Sequence, residues 1–71
     1  MQTIEIRLNG ETIQLPQNCT AQQLVDMLDL SEQRIAMEVN QEILPRSLYA
    51  QHQFSGGEVV EVVRAIGGGA N

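Results

Sequence analysis

The sequence predicts an α+β domain in which one main helix packs on one face of a mixed sheet of four to five strands. Near the N-terminus the apolar residues recur with a period of two, which is typical of a half-buried strand. A capped stretch further along the chain has helical spacing instead. A dense run of β-branched residues at 59–63 then indicates a last strand in the middle of the sheet.

The chain opens with a predicted hairpin. Residues 3–8 alternate between apolar and polar, which places three aliphatic side chains on one face. Asn9-Gly10 follows, a dipeptide that favours a tight hairpin turn because both residues tolerate positive φ. The second strand is predicted over roughly 12–15, where Pro16 ends it.

One helix is predicted over about residues 20–29. Thr20 and Gln23 have the spacing of a capping box, in which each side chain satisfies a free backbone N–H at the helix start. The apolar residues then recur at helical spacing: Leu24, Val25 and Leu28. Because so short a helix is marginal alone, we expect the sheet to stabilise it.

The second half of the chain predicts a third strand over 34–40, a short strand or loop at 43–44, and a strong last strand at 59–63. Residues 46–57 have no regular period. Because Glu61 and Arg64 have opposite parity on the last strand, we expect Arg64 to lie beyond the edge of the core. This order matches the ubiquitin-like β-grasp fold, with the last strand central.

Composition points to one small acidic domain. Four arginines, no lysine and nine acidic residues give a net charge of −5, which argues against nucleic acid and anionic membranes as partners. A basic protein surface would suit this charge, although the charge alone is better explained as keeping a small protein in solution. A single cysteine allows neither an internal disulfide nor a cysteine metal cluster. With no signal sequence or membrane-spanning apolar run, we expect a cytoplasmic protein.

The glycine run at the C-terminal end is the feature that bears most on function. Residues 1–66 are predicted to form the domain and 67–71 a flexible tail, since glycine loses much backbone entropy on ordering and buries no side chain. A thin tail can enter a narrow channel of another protein. An exposed glycine carboxylate there would be an unhindered acyl group, although Ala70 and Asn71 block it in this sequence.

Other residues that could carry chemistry have plainer interpretations. We interpret Cys19 as structural, although a helix start could lower the pKa of its thiol. His52, in a polar loop, is predicted to be a solvated surface residue. Tyr49 and Phe54 are predicted to pack the irregular segment under the edge of the sheet. No histidine–nucleophile pair, metal-ligand cluster or phosphate-cradling motif is present, so we expect no enzymatic activity and no bound cofactor.

These features together resemble the ThiS family, the sulfur carriers of thiamine biosynthesis. The resemblance covers nearly the whole chain and rests on the order and spacing of five stretches: Leu8-Asn9-Gly10-Glu11, the capped helix from Thr20 to Leu28, Val39 to Arg46, Gly57 to Val63, and the glycine run. Tyr49 stands where the family commonly has tryptophan, and Glu58 where aspartate is usual. The family usually ends at its last glycine, whereas this sequence continues with Ala70-Asn71.

The resemblance implies that Gly69 is the residue whose carboxylate is adenylated and converted to a thiocarboxylate, with Gly68 and Gly67 as the slender neck of the tail. It implies three partners: an E1-like adenylating enzyme of the ThiF type that uses ATP, a cysteine-desulfurase sulfur source, and a thiazole synthase of the ThiG type. A peptidase that removes Ala70 and Asn71 is a further hypothesis, because two residues follow the glycine run. Arg46, Glu58 and Glu61 are candidate docking residues, although Arg46 could equally hold its own loop and the two glutamates could be solvated charges.

Two other functions remain open at this point. The chain could be a β-grasp sulfur donor for another pathway, such as molybdopterin synthesis or a proteolytically processed thioacid carrier. It could also be a ubiquitin-like binding module whose tail does no chemistry. Replacement of Gly69 separates these classes, because it would abolish the function of either carrier and leave a binding module unaffected.

Overall fold

The computed structural model describes residues 2–64, and these residues form a five-stranded sheet with one α-helix on one of its faces. The elements in chain order are β1 (Thr3–Leu8), β2 (Glu11–Pro16), α1 (Ala21–Met27), β3 (Ile35–Val39), β4 (Glu42–Leu44), a 3-10 turn (Arg46–Leu48) and β5 (Val59–Arg64). The predicted hairpin, helix and strands are confirmed, with ends that differ from the predictions by one or two residues.

The sheet order is β2-β1-β5-β3-β4, so the last strand lies at its centre. β5 runs parallel to β1 and antiparallel to β3, and each of those two strands also belongs to a hairpin, β1–β2 or β3–β4. The predicted β-grasp arrangement with a central last strand is therefore confirmed. β5 is the only element that joins the two hairpins within the sheet of residues 2–64.

The alternation of residues along each strand divides the sheet into a buried and an exposed face. The buried face and the helix share one core cluster: Ile6, Leu15, Cys19, Ala21, Leu24, Val25, Met37, Val39, Tyr49, Phe54, Val60 and Val62. Burial of this apolar surface is the main term that stabilises so small a domain. Tyr49 and Phe54 belong to the cluster, which confirms the prediction that they pack the irregular segment.

The helix, Ala21–Met27, is shorter than the predicted 20–29 because the helical repeat ends after two turns. Thr20 caps it: its Oγ1 accepts the Gln23 N–H at 3.1 Å, and Gln23 Oε1 accepts the Thr20 N–H at 2.9 Å. The predicted capping box is confirmed. At the other end the chain leaves the helix after Met27, and Asp29 adopts a positive φ of 60°. That left-handed residue breaks the helical repeat and turns the chain back toward β3.

Candidate functional site

β5 carries the chain through the core to the end of the sheet. Val60 and Val62 are buried, whereas Arg64, the last residue of the strand, is exposed and lies opposite Ile35 of β3. The prediction that Arg64 lies beyond the edge of the core is confirmed. The predicted acyl residue Gly69, its neck residues Gly68 and Gly67, and Ala70-Asn71 lie outside the described residues, so their roles stay predictions.

Two asparagines in turns bond the backbone of β5 near its two ends. Asn9 Oδ1 accepts the Val62 N–H at 2.9 Å, and Asn9 Nδ2 donates to the Val62 carbonyl at 3.2 Å. Asn40 Oδ1 accepts the Val59 N–H at 3.0 Å. The sequence places Asn9 in a hairpin turn and Asn40 at the end of the predicted third strand, and neither placement predicts these bonds to β5. The available signal was an asparagine at a strand end, where its amide can replace a backbone partner.

The exposed face of the sheet presents apolar side chains around two acidic ones. Val59, Val63 and Ile43 are exposed there by 43%, 57% and 63% respectively. Glu61 lies directly opposite Glu38 in the β3–β5 register, an arrangement of like charges that destabilises a sheet. Within residues 2–64, neither carboxylate forms an ion pair with an arginine. This face, defined by Val59, Glu61, Val63, Glu38 and Ile43, is called the outer face below.

Arg46 reaches across to the loop between α1 and β3. Its Nη1 donates to the Gln33 carbonyl at 3.0 Å and its Nη2 to the Ser31 carbonyl at 2.6 Å. The guanidinium also lies over the Tyr49 ring, 5.7 Å from the ring centroid, within cation–π range. Of the two roles considered for Arg46, the structure therefore supports the structural one. The loop that it holds is residues 31–33, and not its own loop as considered from the sequence. Its role in docking stays a prediction.

The Glu58 side chain has a structural role, because it is largely buried and accepts a backbone hydrogen bond. Its side chain is only 16% exposed, and its Oε1 accepts the Ser55 N–H at 2.9 Å, which closes the turn before β5. Of the predicted docking residues, Glu61 alone has an exposed side chain that is free of hydrogen bonds within residues 2–64. The docking roles of both glutamates stay predictions.

The prediction that His52 is a solvated surface residue is wrong. Its ring stands edge-on to Phe54 with centroids 5.2 Å apart, and its side chain is 26% exposed. The Nε2 atom is buried, has no hydrogen-bond partner among residues 2–64, and lies 3.5 Å from Glu58 Oε1. The backbone explains the placement, because the His52 carbonyl accepts the Ala21 N–H at 2.9 Å and so draws the loop against the helix start.

Cys19 is a core residue. It is 3% exposed, and its burial raises the pKa of the thiol above the ordinary value, the opposite of what a nucleophilic thiolate requires. The structural interpretation of Cys19 is confirmed. In the described part of the chain, no three acidic, histidine or cysteine side chains come together as a metal site. No helix among residues 2–64 has the length and apolar character to cross a membrane.

Comparison with known proteins places the chain in a family. The ThiS family model matches residues 2–69. The sulfur carrier protein ThiS of Escherichia coli is 30% identical over 66 residues, which are 93% of this chain and all of that protein. A thiazole synthase of Paramagnetospirillum magneticum is 34% identical over 68 residues, and the chain spans only 21% of its length.

The fold has a solved counterpart as well. The crystal structure of the thiamine biosynthesis protein ThiS from Geobacter metallireducens superposes with a TM-score of 0.79 at 22% identity, covering 93% of this chain and 100% of that one. At that identity the likeness concerns the fold, and it agrees with the β-grasp topology derived above. The extent of the family match and the coverage of the E. coli protein decide the assignment. This chain belongs to the ThiS family, whose members are sulfur carriers of thiamine biosynthesis and not enzymes.

Proposed function

We propose that the chain carries sulfur as a thiocarboxylate on Gly69 and donates it for thiazole formation in thiamine biosynthesis. The observation that carries the proposal is the extent of the family match, which runs from residue 2 to residue 69 and stops at the last glycine of the run. Gly69 has no side chain, so its acyl carbon is open to a sulfur nucleophile. Gly68 and Gly67 form the neck that passes into the partner's channel.

The chemistry belongs to the partners. A carboxylate is a poor acyl donor, so an E1-like adenylating enzyme of the ThiF type first joins the Gly69 carboxylate to the AMP part of ATP and releases pyrophosphate. A persulfide from a cysteine-desulfurase source then attacks the acyl carbon while AMP leaves, and a thiol reduces the S–S bond of the resulting acyl disulfide to release the thiocarboxylate. The carrier supplies the acyl group, its position and a surface for docking, and a thiazole synthase of the ThiG type accepts the sulfur.

The position of β5 supports this division of work. Fully extended, the five residues after Arg64 up to Gly69 span at most roughly 17 Å. That length takes the acyl carbon into a buried active site while the domain remains outside. The strand before the tail is anchored in the middle of the sheet, between β1 at its start and β3 along its whole length, which would keep the body folded during the transfer.

Ala70 and Asn71 must be removed before adenylation, because they hold the Gly69 carbonyl in a peptide bond. We propose that a peptidase cleaves after Gly69. Two residues beyond the glycines are enough to block the reaction completely, since no free carboxylate exists at Gly69 until they leave. Removal would therefore switch an inactive precursor into the carrier.

We further propose that the outer face docks on the adenylating enzyme and on thiazole synthase. Its exposed valines and isoleucine provide apolar contact, and the Glu38–Glu61 pair offers two adjacent carboxylates to a basic side chain of the partner. The thiazole synthase of P. magneticum contains a region similar to this chain, which supports a partnership between the two activities. Arg46 and Glu58 already have intramolecular partners, so Glu61 is the stronger candidate for contact.

The test compares three purified forms: the 71-residue chain, a chain ending at Gly69, and the latter with Gly69→Ala. Each is incubated with ATP, an adenylating enzyme of the ThiF type and a cysteine-desulfurase sulfur source, and the intact mass is measured. We expect exchange of one oxygen for sulfur only in the chain ending at Gly69, with Gly69→Ala strongly slowed by its added methyl group.

Sulfur incorporation into the chain with Asn71 intact would contradict the processing step. If the chain ending at Gly69 bound the enzyme and gained no sulfur, the carrier proposal would fail and a binding module would be left. A chain ending at Gly68 is the matched control, because it retains a glycine carboxylate and is only one residue shorter.

A further inference from the structure

The pairing between β1 and β5 stops before β5 ends. The register pairs Arg7 with Val59 and Leu8 with Val60. The last backbone bond from β1 is donated by the Asn9 N–H to the Val60 carbonyl at 2.9 Å. At Asn9 the chain turns into the hairpin with a positive φ of 51°, so no further peptide of β1 runs beside β5.

The Asn9 side chain takes the place of the missing peptide. Its Oδ1 accepts the Val62 N–H at 2.9 Å and its Nδ2 donates to the Val62 carbonyl at 3.2 Å. Both bonds are partly buried and join residues 53 positions apart in sequence. A primary amide has the same donor and acceptor as a peptide group, so it satisfies both polar groups of Val62 that point away from β3.

Beyond Val62, within residues 2–64, β5 is bonded on the β3 side alone, by the register that ends at Ile35 and Arg64. A strand bonded on one side opens more readily than a strand bonded on both. Asn9 therefore determines how far toward the tail β5 is hydrogen-bonded on both sides. Without the Asn9 side chain, the last residue bonded on both sides would be Val60 and no longer Val62.

We infer that Asn9 is a positioning residue for the reactive end: it sets the last residue at which β5 is bonded on both sides before the tail. The distance from that point sets where Gly69 lies when the domain is docked. Small displacements of a reacting group reduce the rate strongly even when binding is unaffected. The catalytic consequence of this inference rests on the proposed function, whereas its structural part does not.

The chain offers a matched control in Asn40. Asn40 also has a positive φ, 52°, and its Oδ1 accepts the Val59 N–H at 3.0 Å, at the other end of the same strand. Its backbone N–H donates to the Val59 carbonyl at 2.7 Å and does not depend on the side chain. Glycine tolerates both φ values, so Asn9→Gly and Asn40→Gly each remove a side-chain amide without straining the turn.

The first experiment measures amide hydrogen exchange in the 71-residue chain. Because two hydrogen bonds are lost, we expect Asn9→Gly to speed exchange of the Val62 amide by roughly tenfold, with Val59 little changed. Asn40→Gly is expected to speed exchange of the Val59 amide and to leave that of Val62 little changed. Unchanged exchange at Val62 in Asn9→Gly, or an equal rise there in Asn40→Gly, would overturn the inference whether or not the chain carries sulfur.

The second experiment uses chains ending at Gly69 and measures thiocarboxylate formation against carrier concentration. We expect Asn9→Gly to lower kcat by at least about threefold with KM unchanged, since docking is intact and only the acyl end is displaced. Asn40→Gly should match the parent chain. Asn9→Asp, which keeps the acceptor for the Val62 N–H, should restore part of kcat.

The outcomes separate the two ideas. If the parent chain gains no sulfur, the proposed function fails, and hydrogen exchange still decides whether Asn9 fixes the strand end. If the parent chain gains sulfur and Asn9→Gly has the same kcat as Asn40→Gly, the positioning role is overturned while the carrier function stands.

Discussion

The Arg46 side chain connects the 3-10 turn to the loop between α1 and β3. It donates to two carbonyl groups, of Ser31 and Gln33, and its guanidinium lies over Tyr49. The planar fork suits this bridge because its two terminal nitrogens reach two acceptors at once. A lysine would supply a single point charge and could not span both carbonyls in the same geometry.

We expect Arg46→Lys to lower the free energy of unfolding by about 1 kcal/mol, because one of the two hydrogen bonds is lost while the charge is kept. Guanidinium chloride denaturation measures the change. Arg34→Lys is the matched control, since Arg34 is exposed and makes no side-chain hydrogen bond within residues 2–64. Equal stabilities of the two variants would contradict the bridging role.

At the level of elements, the short helix depends on its N-cap residue, Thr20. A helix of seven residues has few internal hydrogen bonds, so satisfying its free N–H groups matters more than in a longer helix. Thr20 and Gln23 do this reciprocally, and the helix then buries Ala21, Leu24 and Val25 against the sheet.

Replacement of Thr20 by Ala is expected to cost about 1 kcal/mol of stability, since the Gln23 N–H loses its acceptor at the helix start. Thr20→Ser keeps the hydroxyl and should cost much less. Both are compared by denaturant midpoint and by amide exchange of Gln23. If the serine and alanine variants lose the same stability, then the hydroxyl bond is not what holds the cap.

The elements also differ in how well the sequence predicts them. Strict alternation predicts β1 and the β-branched run predicts β5, because both strands have one face packed on the core. β4 has only three residues, too few to show a period, so the sequence does not distinguish a short strand from a loop there. His52 was misplaced because its position is set by a backbone bond to Ala21, a tertiary contact that local polarity does not reveal.

The residues of the candidate site also differ in how well the sequence predicts their roles. The glycine run and the exposed Glu61 can be read from composition and strand parity. The roles of Asn9, Asn40 and Arg46 cannot, because each acts on a backbone group distant in sequence, 53 residues away for Asn9 and Val62. An asparagine in a turn gives the same local signal whether its side chain faces water or the next strand.

For the molecule as a whole, the net charge of −5 and the outer face point to one mode of association. Long-range attraction raises the rate of encounter with a basic partner, and salt screens it. Apolar contact by Val59, Val63 and Ile43 would then hold the complex after encounter. The two contributions are separable because only the first depends on ionic strength.

We expect Glu61→Lys to slow association with the adenylating enzyme and, at the same time, to stabilise the free domain. The new lysine lies opposite Glu38, so a repulsive pair becomes an attractive one, worth about 0.5 kcal/mol. Stopped-flow association at several salt concentrations and denaturant unfolding measure the two effects. A slower association together with a higher free energy of unfolding would show that the substitution acts on docking and does not simply disrupt the fold.

Glu11→Lys is the control for this prediction, because it changes the net charge equally and pairs with Leu8 on the other face of the sheet. It should slow association only slightly and leave the Glu38–Glu61 repulsion intact. If both variants slowed association equally, then overall charge and not the outer face would direct docking.

The central position of β5 has a consequence for the order in which the protein is made. The β1–β2 hairpin and the β3–β4 hairpin emerge from the ribosome first and have no common strand until residues 59–64 follow. Only then can the two halves close on one core. A chain interrupted during synthesis therefore has neither the completed sheet nor the glycines that follow it. On the proposed function, partners would therefore meet the glycine run only on a chain that already contains every strand of the sheet.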